Sequence, residues 1–185
     1  MDLLWAPWRM TYIGGGAPAP PAPESSAGQP TPGPHPGPAP APACIFCAPP
    51  AADPRQDRAN LLLWRGAQAF VILNLYPYNA GHLLVVPYRH LHDVTQLTAA
   101  ESGEIMALLQ QMVQALNAAY RPQGFNVGMN LGAVAGAGIA DHLHLHIVPR
   151  WSGDTNFMPV VGQTKVLPED LAQTYDRLRQ ALSGG

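Results

Sequence analysis

The chain has 185 residues and a formal net charge of −2, with 47% apolar and only 12% charged residues. That length suits one domain with an extension, and the near-neutral charge gives no electrostatic footprint for nucleic acid or an anionic membrane surface. The 21 prolines and 18 glycines point to a packed domain joined to a segment that buries nothing.

The chain opens Met1-Asp2-Leu3-Leu4-Trp5, without the basic start and apolar run of a secretory signal. Nowhere do about 18 uninterrupted apolar residues occur, so no membrane span is expected. Residues 1–13 form an aromatic segment with Trp5, Trp8 and Arg9. Residues 14–43 are almost entirely Gly, Ala, Pro and Ser, with 11 prolines from Pro18 to Pro42; this reads as a disordered or polyproline-like linker. The globular pattern runs over 44–185. Its two cysteines, Cys44 and Cys47, cannot build a disulfide framework, which suggests a reducing, cytoplasmic setting. As a Cys-x-x-Cys pair they supply two of the four ligands that tetrahedral zinc needs; a free dithiol or redox pair is the plainer alternative.

The runs 69–74, 82–86 and 125–131 are short, rich in strand formers and bounded by Gly, Pro or Asn, so they predict strands. Asn79-Ala80-Gly81 supplies the turn between the first two and makes them an antiparallel pair. Thr98-Ala99-Ala100-Glu101 is a capping box. It heads a helix with Ile105, Leu108, Leu109, Met112 and Leu116 on one stripe, stopping before Pro122. A second amphipathic helix is predicted after Pro168, carrying Leu171, Tyr175, Leu178 and Leu182. Strands, one long helix, then further strands argue an α+β fold.

Three of the seven histidines fall in His142-Leu143-His144-Leu145-His146-Ile147-Val148-Pro149. In a strand, residues two apart share a face, so the aliphatics face a core and the imidazoles line a site. A structural sheet has no reason to gather groups that titrate near neutrality and repel when charged. A solvated polar face and a metal-binding tract are the competing readings. The Gly-rich loop 132–138 just upstream is neither a dinucleotide fingerprint nor a P-loop, since a strand follows it and no Gly-Lys-Ser/Thr ends it. Its free backbone N–H groups suit an anion nest; a plain flexible loop is the alternative.

Residues 142–148 resemble the signature of the histidine-triad family, His-φ-His-φ-His-φ-φ with φ apolar. Asn74 and Gly81-His82-Leu83-Leu84-Val85 with Pro87 resemble that family's nucleotide-binding strand and turn. Trp5-Ala6-Pro7-Trp8-Arg9, Pro149-Arg150-Trp151 and Gly153-Asp154-Thr155-Asn156-Phe157 further resemble its bacterial diadenosine polyphosphate phosphorylase branch. The resemblance implies an antiparallel sheet of about five strands with one long helix across it, a C-terminal helix, and a homodimer. It implies a nucleotidyltransferase or hydrolase acting on nucleotides or dinucleoside polyphosphates, with phosphate or water as acceptor. His144 is then the nucleophile that carries a nucleotidyl group, and His146 and His82 flank the phosphoryl group as donors. Asn74, Asn130, Gly138, His142 and Trp151 are implied nucleotide contacts. The zinc site is completed by His90 and His142, with His92 a competing ligand. Two other readings remain: a mononucleotide phosphoramidase or hydrolase of the same family, and a non-catalytic nucleotide-binding module. Where family members often carry a Gln, Ser or Thr, this chain has Gly138-Ile139-Ala140-Asp141. Leu145 stands where a uridylyltransferase relative carries proline.

Overall fold

A computed structural model describes residues 44–155, 157, 161–162 and 166–184. Trp5, Trp8, Arg9, the proline-rich linker and Asn156 lie outside the described residues. Five strands form one sheet: β1 (Leu62–Arg65), β2 (Ala69–Leu73), β3 (Leu83–Pro87), β4 (Gly124–Met129) and β5 (Leu145–Arg150). Their order is β1-β2-β3-β5-β4, with every neighbouring pair antiparallel. Among the described residues, the α-helices α1 (Ala48–Ala51), α2 (Ala99–Tyr120) and α3 (Leu171–Ser183) accompany them. The α+β architecture matches the sequence expectation. Among the described residues, no helix is long and apolar enough to cross a membrane.

The Thr98 hydroxyl accepts from the Glu101 backbone N–H, and Glu101 reaches back to the Thr98 N–H. This reciprocal capping fixes the start of α2. The helix ends at Tyr120, where Arg121 turns left-handed ahead of Pro122. Asp170 caps α3 by accepting from the Gln173 N–H. Ile105, Leu108, Met112 and Leu116 of α2 and Tyr175 and Leu178 of α3 pack on Leu63, Ala69, Val71, Leu73, Leu83, Val85, Leu145 and Ile147 of the sheet. The opposite face carries a smaller cluster of Leu62, Phe70, Ile72, Leu84 and Val86, closed by Phe46.

Two turns show why glycine is needed. Gly81 has φ of +75°, and a Cβ there would stand 2.9 Å from Leu116 of α2, so the β2–β3 turn can lie close under the helix. At Gly66, between β1 and β2, a Cβ would meet the Glu104 carboxylate at 2.6 Å. That carboxylate accepts from the backbone N–H groups of Ala67, Gln68 and Ala69, tying the first hairpin to α2.

The structure shifts several expected boundaries. β3 begins at Leu83 rather than His82, and β4 covers Gly124–Met129 rather than reaching Leu131. β4 stops at Met129 because its partner in the ladder, Leu145, is the first residue of β5. His142 and His144 therefore precede the strand that was expected to hold all three histidines. There the Leu143 N–H donates to the Leu91 carbonyl instead of joining the sheet.

Candidate active site and metal cluster

The alternation expected of the histidine segment persists around β5. Leu145 and Ile147 enter the helix-covered core, whereas His144, His146, Val148 and Arg150 line cavities on the opposite face. A cavity of about 530 Å³ is walled by Ile45, Phe46, Leu61, Ile72 and Leu84, with Asn74, Gly138, His144 and His146 supplying its polar edge. An apolar slot closed by a few polar groups is the usual form of a small-molecule site. Ile45 and Phe46 were not foreseen as lining residues. The only signal was their position inside the Cys-x-x-Cys pair.

The hydrogen bonds fix the imidazole tautomers. The backbone N–H of Tyr78 can only donate, and it lies 3.1 Å from His82 Nδ1. The Asn74 amide nitrogen also reaches that atom, at 3.2 Å, while its oxygen accepts from the Tyr76 N–H. His82 Nδ1 is therefore an acceptor, and in the neutral ring the proton sits on Nε2. That Nε2–H donates to His146 Nδ1 over 2.9 Å, so His146 carries its own proton on Nε2. This atom is buried and has no hydrogen-bond partner among the described residues. Burial holds both rings neutral, with the neighbouring imidazoles adding to the effect; His82 is pushed down to about 3 and His146 to about 4. The Tyr78 ring lies over both, 4.6 Å from His82 and 5.9 Å from His146.

His144 is oriented separately. Its Nδ1–H donates to the His142 carbonyl over 2.8 Å, which leaves the lone pair on Nε2. The ring packs at 5.0 Å on Phe46 and 4.9 Å on His146. A backbone carbonyl thus does for His144 what the Asn74 and Tyr78 donors do for His82.

Three placements depart from expectation. His82 is fully buried with both ring nitrogens engaged, so it stands behind His146 and has no edge left for a ligand. His142 is equally buried; its ring serves the cysteine cluster and lies outside the nucleotide-sized cavity. Trp151 lines a different cavity with Tyr120, Glu169 and Arg177. The reason is parity: residues 144, 146, 148 and 150 share one face, and Trp151 falls out of step with them. Asn130 donates to the Gly136 carbonyl over 3.3 Å, pinning the Gly-rich loop.

The second cluster joins Cys44, Cys47, His90 and His142, whose ligand atoms all lie within 4.8 Å of one another. Cys44 Sγ and Cys47 Sγ stand 3.3 and 3.7 Å from His142 Nδ1, and Cys47 Sγ is 3.5 Å from His90 Nδ1. Zinc bonded to sulfur and nitrogen at tetrahedral angles separates the two atoms by about 3.5 Å, close to these three separations. His142 Nε2–H donates to the Pro87 carbonyl over 2.9 Å, which turns the Nδ1 lone pair toward the thiols. Burial pushes the Cys47 thiol up, and the adjoining Cys44 adds to this; a dication between them would favour both thiolates. The cluster is therefore able to hold a metal ion. Arg89 clasps Glu101 of α2 through two hydrogen bonds of 2.7 and 2.8 Å, anchoring the turn that presents His90. His92 lies outside the cluster.

The family model of the HIT domain matches residues 58–153, more than half of the chain. The chain belongs to the HIT family. Among curated relatives, this HIT domain is 49% identical over 118 residues to "AP-4-A phosphorylase" of Mycobacterium tuberculosis. That match covers 64% of this chain and 60% of the relative's length. It is 29% identical to an adenosine 5′-monophosphoramidase of Schizosaccharomyces pombe, covering 58% of this chain and 74% of that protein. Among solved structures, a zinc-bound histidine triad family protein from Mycobacterium smegmatis superposes with a TM-score of 0.59 at 25% identity, covering 76% of this chain and 94% of that one.

Proposed function

We propose that this HIT domain cleaves diadenosine polyphosphates through a nucleotidyl group carried on His144. The observation that carries the reading is the hydrogen bond from His144 Nδ1–H to the His142 carbonyl. It leaves the Nε2 lone pair as a nucleophile on the wall of an apolar, nucleoside-sized cavity. Attack of Nε2 on the α-phosphorus forms a P–N bond. The P–O bond to the bridging oxygen breaks, and its electron pair leaves with the departing nucleotide. The resulting imidazolium keeps its Nδ1 proton on the carbonyl. His146 Nε2–H donates to the phosphoryl oxygens as their charge grows, and His82 holds the tautomer that makes this possible. An acceptor oxygen then attacks phosphorus and the P–N pair returns to His144. Phosphate as acceptor yields ADP; water yields AMP and a proton.

Similarity to the protein named "AP-4-A phosphorylase" favours phosphate as the acceptor. We assign zinc to the Cys44, Cys47, His90 and His142 set, where a bound ion supplies structural anchoring; the carbonyl of His142, one of these ligands, orients His144. Thiols committed to a metal suit a reducing, cytoplasmic setting. Among the described residues the edge strand β4 has one unpaired side and an exposed Val127, which suits pairing with a second copy in a homodimer.

The deciding experiment incubates the protein with diadenosine tetraphosphate, with and without inorganic phosphate. Phosphate-dependent ADP plus ATP supports phosphorolysis. AMP plus ATP makes the protein a hydrolase working through the same intermediate; two ADP, which requires cleavage at the central bridge, overturns attack at the α-phosphorus. Turnover of adenosine 5′-phosphoramidate alone supports the mononucleotide reading that the Schizosaccharomyces pombe relative favours. No product from any of these overturns the proposal.

A further inference from the structure

The cavity that holds His144 ends at His146, and a second cavity of about 400 Å³ begins there; Tyr78 and His146 line both. The second continues past Val148 to Arg150 and is lined across the sheet by Asn126, Gly128 and Asn130. At about 3.3 Å per residue, His144 to Arg150 lays out a track of roughly 20 Å along one face. We infer that the second cavity is a subsite for the leaving nucleotide, the nucleoside phosphate on the far side of the scissile bond. This rests on the dinucleotide reading above.

Three observations carry the inference. The first is order along the track: His144 touches only the first cavity, whereas His146 touches both. In phosphoryl transfer the attacking and leaving atoms lie roughly in line. A group expelled away from His144 passes His146 and enters the second cavity. The second observation is the unpartnered, buried Nε2–H of His146 at the junction, where bridging phosphate oxygens would satisfy it. The third is Gly128, the cross-strand partner of His146, so that a side chain there would stand beside it on the same face. A Cβ at Gly128 meets nothing within 4 Å. Among the described residues the space beside His146 is therefore open, which leaves room for a ligand there.

The chemistry of the lining points to a nucleotide rather than a bare anion. Arg150 is paired with Asp154 over 2.7 Å, so the cavity is close to neutral. Asn126 Oδ1 accepts from Arg150 and Asn130 Nδ2 donates to the Gly136 carbonyl, so the cavity is lined by two amides each with its other polar atom to offer, and by the exposed ring of Tyr78. Such groups recognise ribose hydroxyls and base edges by hydrogen bonding and stacking.

The test is Gly128→Val, which fills space beside His146 that the described residues of this chain leave open and suits a strand; the oligomeric state of the variant is checked against the parent's. kcat/KM is measured on diadenosine tetraphosphate and on adenosine 5′-phosphoramidate, whose leaving group is ammonia and needs no second subsite. The expected result is a fall of about ten-fold or more in the ratio of dinucleotide to phosphoramidate turnover. A ratio equal to that of the parent protein overturns the inference. Asn126→Ala, which removes an amide and adds no bulk, should lower the same ratio by less. A binding arm keeps the two proposals apart: in a His144→Asn background, calorimetry compares diadenosine tetraphosphate with AMP. Gly128→Val should weaken the dinucleotide selectively even if the parent protein turned over neither substrate. Equal affinities with and without the valine would remove the subsite while leaving the His144 chemistry standing.

Discussion

The face of the sheet beneath α2 and α3 carries an unbroken set of aliphatics from Leu63 to Ile147, all buried against Met112, Leu116 and Leu178. The other face starts in the same style, with Phe70, Ile72, Leu84 and Val86, and then changes character where His144, just before β5, and His146 within it take the outward positions. One strand therefore serves both faces: its odd residues enter the core and its even residues line the proposed site. The period of two in a strand makes this division possible without compromise on either side. It also implies that stability and turnover should respond to different substitutions.

His144→Asn is the strongest attempt to break that division. The variant is expected to lower turnover by about 10³-fold or more, because the stepwise route through a covalent intermediate disappears. Its urea midpoint should stay close to the parent's, since the replaced ring lies on the cavity side. Near-native turnover would end the proposed mechanism. A collapse in stability would show that the open face holds the fold as well.

Met112→Ala tests the other face. Met112 is fully buried, and truncating such a side chain costs about 2–5 kcal/mol through lost burial and the cavity left behind. Chemical denaturation should show that loss, while kcat per folded molecule stays within about two-fold of the parent's. A large kcat effect at full folding would mean that the helix layer tunes the site.

The metal cluster lies at the point where the two regions meet, because His142 offers its ring to the cysteines and its carbonyl to His144. Elemental analysis is expected to give about one zinc per chain, lost in Cys44→Ser or Cys47→Ser together with a drop in melting temperature. Fully folded, metal-free protein with freely reactive thiols would break this link.

Much of this was legible in the residues. The capping box placed α2, the histidine alternation placed β5, and turn chemistry at Asn79-Ala80-Gly81 placed the β2–β3 hairpin. β1 was missed because Leu61-Leu62-Leu63-Trp64 is a short apolar run without alternation, and Leu62 and Leu63 are both buried, in clusters on opposite faces. Trp151 is a nucleotide contact by resemblance alone; its odd number sets it apart from His144 and His146, and it lines another cavity. The role of Tyr78 depends on its backbone N–H, a group every residue but proline possesses, so no side-chain pattern could single it out. Spacing along the chain singles out His82 but does not reveal that its ring is buried against His146, with Nε2 donating to His146 Nδ1.

The smallest expected effect concerns pH. In the unfolded chain a histidine takes up its proton near pH 6.5, whereas burial in the folded protein holds His146 at about 4 and His82 at about 3. Between pH 6.5 and about 4 the unfolded state binds more protons than the folded one. The stability these rings contribute is complete above pH 6.5 and declines as the pH falls through that window. Carboxylates held low by cations, such as Glu101 at about 2 beside Arg89, act in the same direction but only below about pH 4.5. The range from pH 7 to 5 therefore isolates the imidazoles. Unfolding free energy measured across it should fall with decreasing pH in the parent protein. In His82→Leu the slope should be shallower, because one of the three titrations that burial suppresses, those of His82, His142 and His146, is gone, even though the variant starts from lower stability. Parallel slopes would mean that His82 is already free to protonate in the folded state. The neutral relay from Tyr78 through His82 to His146 would then have to be abandoned, and with it the account of why the open face can hold three adjoining imidazoles without repulsion.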